Sequence, residues 1–142
     1  MTRDVPGAIS DVKQGQVAER QMLFTEEAVA TFAGLVDDHA PVHFDKEFAV
    51  AQGFEGCIAH GFLTSAAFSG LLGEQLPGPK SIINSVNLKM HKPISIGDMV
   101  TYRVTIDQVS EAVGAVVLSL SAVKQTGEQA VTGKAMCSFP GL

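Results

Sequence analysis

The sequence predicts an α+β domain in which a curved antiparallel sheet of five strands wraps one buried helix. Three observations predict it. Residues 60–73 (HGFLTSAAFSGLLG) are apolar on every side of a helix rather than along one face, and a helix apolar all round has to be enclosed. The second half of the chain carries four consecutive runs of alternating apolar and polar residues, the period-two pattern of strands. The links between these runs are short, which makes the neighbours antiparallel. Sheet and helix then form two layers around one core.

Each element has its own warrant. Residues 1–14 are polar, hold Pro6 and Gly7, and read as a flexible lead-in. Residues 15–142 read as a single domain, since 142 residues suit one core. Gln16 to Phe24 alternates and supplies a first strand. Thr25 is placed as an N-cap, with Glu26 and Glu27 in the first turn, where the helix dipole favours negative charge. Ala28, Val29, Phe32, Leu35 and Val36 follow at helical spacing, and the helix ends near Asp37 because Pro41 disfavours helix before it. The buried helix stops at Gly73, ahead of LPGP at 76–79. The four later strands centre on Val86–Met90, Val100–Ile106, Val116–Ala122 and Val131–Phe139. The scattered methionines read as core filler.

Composition removes several classes of function. Ten Lys and Arg against fifteen Asp and Glu give a net charge of −5, which argues against general nucleic-acid binding. Cys57 and Cys137 are far apart and form no C-x-x-C, so neither a disulfide framework nor a structural zinc site is expected. The N-terminus has no apolar signal region and no run of 18 apolar residues occurs, so a cytoplasmic protein without membrane partners is expected. Against the acidic whole, residues 80–103 carry Lys80, Lys89, Lys92 and Arg103 with only Asp98 opposing. Such a patch could hold a polyanion.

The chemistry concentrates in Val36 to Asp45, VDDHAPVHFD, with three carboxylates and two histidines. Pro41 bends the segment, so Asp38 and His43 can converge. A carboxylate and an imidazole on one bent loop suit acid–base work on a single water. His39 and His43 stand four apart, as in helical zinc sites, but Pro41 interrupts the helix that would align them, and no third ligand is evident nearby. No metal and no cofactor are expected. No G-x-S-x-G occurs and neither cysteine sits beside a histidine, which argues against a nucleophilic triad. His39 and His91 read as solvated, His60 as a helix cap, and Ser65 as bonded within its helix.

Asp38, Pro41 and His43 as D-x-x-P-x-H, followed by Phe44-Asp45 and Phe48-Ala49, resemble the hydratase motif of the MaoC-like, (R)-specific enoyl-CoA hydratase family. The helix entry AHGFLTSAAFSGLL (59–72), the L-P-G before Ser81-Ile82, and Pro93 with Gly97-Asp98 are similar to that family too. The similarity runs from about residue 15 to residue 139.

The resemblance implies a hot-dog fold and a homodimer joined edge to edge, with acyl-CoA bound near the interface. It implies that Asp38 and His43 are the catalytic pair holding water against the β-carbon of a trans-2-enoyl thioester. Asp38 is favoured as base and His43 as proton donor. It further implies that the Gly61 N–H is the oxyanion donor and that Ser69 orients Asp38. The chain departs from the family pattern at Val36-Asp37-Asp38 and at Ala40, where a Ser-Gly-Asp or Ser-Glu-Asp and an Asn are common.

The activity implied is hydration of trans-2-enoyl-CoA to (3R)-3-hydroxyacyl-CoA, with those thioesters as the small-molecule partners. Three alternatives remain open at this point: a dehydratase acting on carrier-protein thioesters, a thioesterase on the same fold, and a non-catalytic acyl-CoA-binding subunit. Phe62, Phe68 and Met90 are candidate walls for an acyl chain.

Overall fold

The computed structural model describes residues 5–141. Strand β1 (Val17–Leu23) leads into helix α1 (Glu26–Val36), then a 3-10 turn (Pro41–His43) and the short helix α2 (Lys46–Ala51). Helices α3 (Gly61–Ala66) and α4 (Phe68–Glu74) follow. Four strands complete the chain: β2 (Ile82–Met90), β3 (Met99–Ser110), β4 (Ala115–Lys124) and β5 (Gln129–Ser138). The sheet order is β1-β3-β4-β5-β2, and every pair is antiparallel.

The sequence dictates the local pieces in recognisable ways. The Thr25 side chain accepts the Ala28 N–H at 3.0 Å, so Thr25 is the N-cap of α1. The helix ends at Val36 because Asp37 turns left-handed, with φ 60° and ψ 43°, a conformation that aspartate tolerates better than most side chains. Along β3 and β4 the inward residues Val100, Tyr102, Val104, Ile106, Val116, Leu118, Leu120 and Ala122 are all buried. They form one face of the sheet, as period two requires.

The core lies between that face and the helices. Phe24, Leu71 and Leu72 are covered almost completely, and each such side chain contributes roughly 1.5–3 kcal/mol of burial. Tyr102 sits at the centre, edge-on to Phe68 at 4.8 Å and tilted against Phe24 at 6.5 Å. Its hydroxyl donates to the Thr64 carbonyl at 2.7 Å. Burial pushes the Tyr102 hydroxyl well above the ordinary tyrosine range, so it remains a donor.

Three expectations are corrected. The central helix is interrupted at Ala67 and is not enclosed on all sides: Phe62 is 81% exposed, and Ser69 is exposed as well. The interruption falls just after Thr64, whose carbonyl engages Tyr102, a carbonyl that a continuous helix would commit to the N–H of Phe68. A five-stranded sheet covers only one side of the helix. The lead-in is not loose where it is described. Ile9 and Val12 are buried in the core cluster around a 3-10 turn, and the Gly15 N–H donates to the Ile106 carbonyl. Residues 1–4 of that lead-in lie outside the described residues. Met90, Met99 and Met136 are exposed rather than core filler, and among the described methionines Met22 alone packs against the core.

Strand β2 is the sheet's outer edge beside β5, and its residues are exposed on both faces except for Leu88, which is half-buried. Ile82, Ile83, Val86 and Met90 make that edge apolar. Gly133 on β5 faces it. A Cβ there would collide with the main-chain oxygen of Asn87, so this backbone approach requires glycine.

Candidate active site

The loop after α1 is built around the main chain of Asp38. Its N–H donates to the Ala33 carbonyl at 3.2 Å, the last turn of α1. Its carbonyl accepts a hydrogen bond from His60 Nε2 at 3.0 Å. Its carboxylate accepts the Ala40 N–H at 3.1 Å, a local turn typical of aspartate. Pro41 then opens the 3-10 turn that carries His43. Asp45 caps α2 by accepting the Phe48 N–H. The chain returns beside itself, with the Ile58 N–H bonded to the Val42 carbonyl.

That return fixes His43. Its Nδ1 lies 2.7 Å from the Ile58 carbonyl oxygen. A carbonyl only accepts, so Nδ1 carries the proton and Nε2 of the neutral ring is a bare acceptor. His43 is 8% exposed and His60 1% exposed. Their rings stack with centroids 3.8 Å apart and planes 30° apart. Phe32 meets His60 edge-on at 5.1 Å, and Phe44 at 6.3 Å.

A carboxylate oxygen of Asp38 and one nitrogen from each histidine lie within 4.8 Å of one another. Asp38 and His43 make no hydrogen bond to each other. One water fits that spacing, touching both at ordinary hydrogen-bond length. The structure thus supplies the third group that the sequence did not show nearby, His60. These are also the described residues that could hold a metal ion. Stacked imidazoles, however, present their in-plane lone pairs side by side, a poor chelate. Two of the four ring nitrogens are already committed to main-chain carbonyls.

Behind His43 lies a polar fastening. Ile58 bridges Ser95, and the Ala59 N–H donates to the Ile94 carbonyl at 2.7 Å. The Ser95 N–H donates to Asp98 Oδ2 at 2.8 Å. Lys124 pairs with the same oxygen at 2.8 Å, and Gln125 donates to Oδ1 at 2.8 Å. Burial pushes the Asp98 carboxyl up, but the Gln125, Lys124 and Ser95 hydrogen bonds and the Lys124 charge outweigh it and hold it below the usual carboxylate range. This network borders a cleft of about 960 Å³ that also reaches His43 and Cys57. A smaller, mainly apolar groove of about 430 Å³ runs between α3–α4 and β2, lined by Phe62, Phe68, Ser69, Val86 and Met90.

The residues singled out from the sequence fall as follows. Asp38 and His43 come together. Gly61 opens α3 directly after His60, where an N–H has no partner within the helix ladder. A Cβ on Gly61 would crowd Met90 Sδ at 2.9 Å. Ser69 faces the apolar groove and makes no hydrogen bond to Asp38, because it lies beyond the Ala67 break, against β2. Asp37 points away, 96% exposed at its side chain and 3.4 Å from the exposed His39. His60 occupies the cap position of α3 but makes no cap hydrogen bond. Ser65 and Thr64 both donate to the Gly61 carbonyl. His91 is exposed and meets the Thr132 hydroxyl.

Sequence reasoning missed His60 as part of this site. The available signal was a histidine set directly before an apolar helix with no charged neighbour near it.

An antiparallel sheet over a central helix, with an aspartate and a histidine converging on the loop that enters it, defines a hot-dog domain with a candidate acid–base pair. The chain belongs to the MaoC-like domain family, whose model matches residues 8–133. It is 40% identical over 126 residues to an (R)-specific enoyl-CoA hydratase of Aeromonas caviae, a match covering 89% of this chain and 94% of that relative. Among solved structures, the (R)-hydratase from A. caviae involved in PHA biosynthesis matches with a TM-score of 0.87 and 39% identity. That match covers 91% of this chain and 98% of that one. The R-hydratase PhaJ1 from Pseudomonas aeruginosa matches with a TM-score of 0.85 and 28% identity, covering 94% and 85%.

Proposed function

We propose that this protein hydrates trans-2-enoyl-CoA to (3R)-3-hydroxyacyl-CoA. The observation that carries the reading is the unbonded spacing of the Asp38 carboxylate and a His43 ring nitrogen, within 4.8 Å of each other. The names of the relatives support the substrate class and the handedness.

The tautomer of His43 shapes the mechanism. With Nδ1–H committed to Ile58, both Asp38 and the neutral His43 Nε2 are acceptors. One water donates a hydrogen to each, leaving its lone pairs for the β-carbon. As the C–O bond forms, one water proton passes to the pair, with Asp38 as base, and the pair delivers one proton to the α-carbon. For His43 itself to be the donor it must carry both ring protons. The negative charge that develops on the thioester oxygen is met by the Gly61 N–H, a donor of the kind worth roughly 10²–10³ in rate. The apolar groove beside Phe62, Phe68 and Met90 takes the acyl chain. Ser69 lines that groove, so its role is to contact substrate or a second copy rather than to orient Asp38 within its own chain. Lys80, Lys89 and Lys92 are exposed and free to meet phosphate, whereas Arg103 is paired with Glu19.

The assembly we propose is a homodimer through β2. That edge is long, apolar and open, and an unpaired edge of this kind is a template for another strand. A second copy would also cover the exposed Phe62.

The test is loss of the enoyl-thioester absorbance when crotonyl-CoA is added to purified protein, with chiral analysis of the product. An (R)-3-hydroxy product is expected. An (S) product, or release of free CoA thiol, would overturn the assignment. Silence toward crotonyl-CoA, longer enoyl-CoA and enoyl carrier-protein thioesters would overturn the hydratase reading altogether.

A further inference from the structure

His60 is a costly residue at its position. It is 1% exposed and boxed by Phe32, Phe44 and His43. Its Nε2 has a partner, the Asp38 carbonyl at 3.0 Å. Its Nδ1 is buried with no hydrogen-bond partner among the described residues. A phenyl ring would fill the same aromatic box without an orphaned nitrogen. An imidazole is accounted for only by what Nε2 does.

What Nε2 does is hold the main chain of Asp38. The Asp38 N–H is already tied to Ala33. The hydrogen bond from His60 ties its carbonyl, so the backbone on both sides of the Cα is fixed and the direction of the carboxylate with it. The same ring is the flat surface on which His43 rests at 3.8 Å. One side chain thereby sets the distance between the two groups that must share a water. Because a histidine Nε2–H faces a carbonyl, the ring is in the tautomer that leaves Nδ1 as the unpaired acceptor.

We propose that His60 is a positioning residue for the Asp38–His43 pair, acting through its Nε2–H bond to the Asp38 carbonyl. The proposal rests on the hydratase reading only for its kinetic test.

Three variants separate the Nε2 donor from ring packing. His60→Gln places an amide N–H where Nε2 stood and loses the stack. His60→Phe keeps the stack and loses the donor. His60→Asn keeps a polar group that stops short of the Asp38 carbonyl. With an enoyl-CoA substrate, His60→Phe is expected to lower kcat by about 10²-fold with little change in KM, the scale of a reacting group displaced by about 1 Å. His60→Gln is expected to recover most of that loss, and His60→Asn is not. If His60→Phe fails to fold, the Gln–Asn difference carries the test. Independently of activity, the amide resonances of Asp38 and His39 are expected to shift in His60→Phe and His60→Asn and to stay near wild type in His60→Gln.

A wild-type kcat in folded His60→Phe overturns the proposal. So does a Gln variant no better than Asn, which would make the ring a packing element. If wild type turns over no enoyl thioester, the hydratase reading fails, while the resonance shifts still decide whether His60 holds Asp38.

Discussion

The Nδ1 of His43 stands 2.7 Å from the main-chain oxygen of Ile58, whose bridge to Ser95 ties the loop that carries Asp38 to the turn before β3. The ring is therefore held from behind, and Nε2 is the nitrogen free to work.

Replacing His43 by Asn tests this division of labour. An Asn amide takes the place of Nδ1–H and can still reach the Ile58 carbonyl, but it offers nothing where Nε2 was. The expected result is a folded protein with kcat lowered by about 10²–10⁴-fold, the range for loss of a general acid or base. A variant that changes only KM would mean that His43 binds substrate without joining the chemistry.

Asp38→Asn is expected to reduce hydration of crotonyl-CoA by a similar factor of about 10²–10⁴. Its stability should be nearly unchanged, since an Asn side-chain oxygen still accepts the Ala40 N–H. Asp37→Asn is the matched control. Asp37 is exposed and left-handed, a conformation Asn adopts readily, so kcat and urea midpoint should both stay at wild type. Activity that survives in the Asp38 variant and falls in the Asp37 variant would reverse the assignment.

Asp98 contributes to the acid limit of stability. Its folded carboxyl lies below the usual range, so it releases its proton more readily folded than unfolded. The stability it contributes is complete above the unfolded value of about 3.9. That stability is lost as pH falls through the lower folded value. Asp98→Asn leaves the half-buried Lys124 without its charge partner and is expected to cost about 2 kcal/mol at neutral pH. Urea unfolding at a series of pH values should show the gap between wild type and variant closing below about pH 3.9. A gap that stays constant with pH would remove the charge from the account.

Gly133→Ala should act on the edge. The added methyl meets the Asn87 main-chain oxygen, so β2 and β5 have to part, at about 1–3 kcal/mol or more. A thermal midpoint equal to wild type would show that the strands can shift freely.

Val86→Lys with Met90→Lys tests the assembly. Sedimentation of wild type should give about twice 14.9 kDa, and the double variant should give 14.9 kDa. A wild-type protein already at the single-chain mass would rule out the β2 homodimer.

The strands and α1 were legible because each states its period and its stops. Thr25 with two glutamates marks a helix start, and Tyr102 among alternating apolar residues marks a buried strand face. The opening of the central helix was not legible. Apolar residues all round it say that it must be covered, but not that one side waits outside this chain's own sheet. The convergence of Asp38 and His43 was legible because they share a short bent loop. His60 was not. It is far along the chain from Asp38, and only the return of residues 52–60 past the Pro41–His43 turn stacks it on His43. The outward turn of Asp37 was likewise hidden, since it depends on one left-handed backbone angle.

The side chains that face the proposed water, Asp38 and His43, both come from the first half of the chain. The groups that fasten them come from Ser95, Asp98, Lys124 and Gln125. A growing chain therefore carries its complete reactive set long before it can hold it still. Competence is expected only once β4 and β5 have been synthesised, with the end of β4 closed on Asp98 and β2 paired to β5, so a truncated product lacking them is expected to be chemically silent while possessing every reactive side chain.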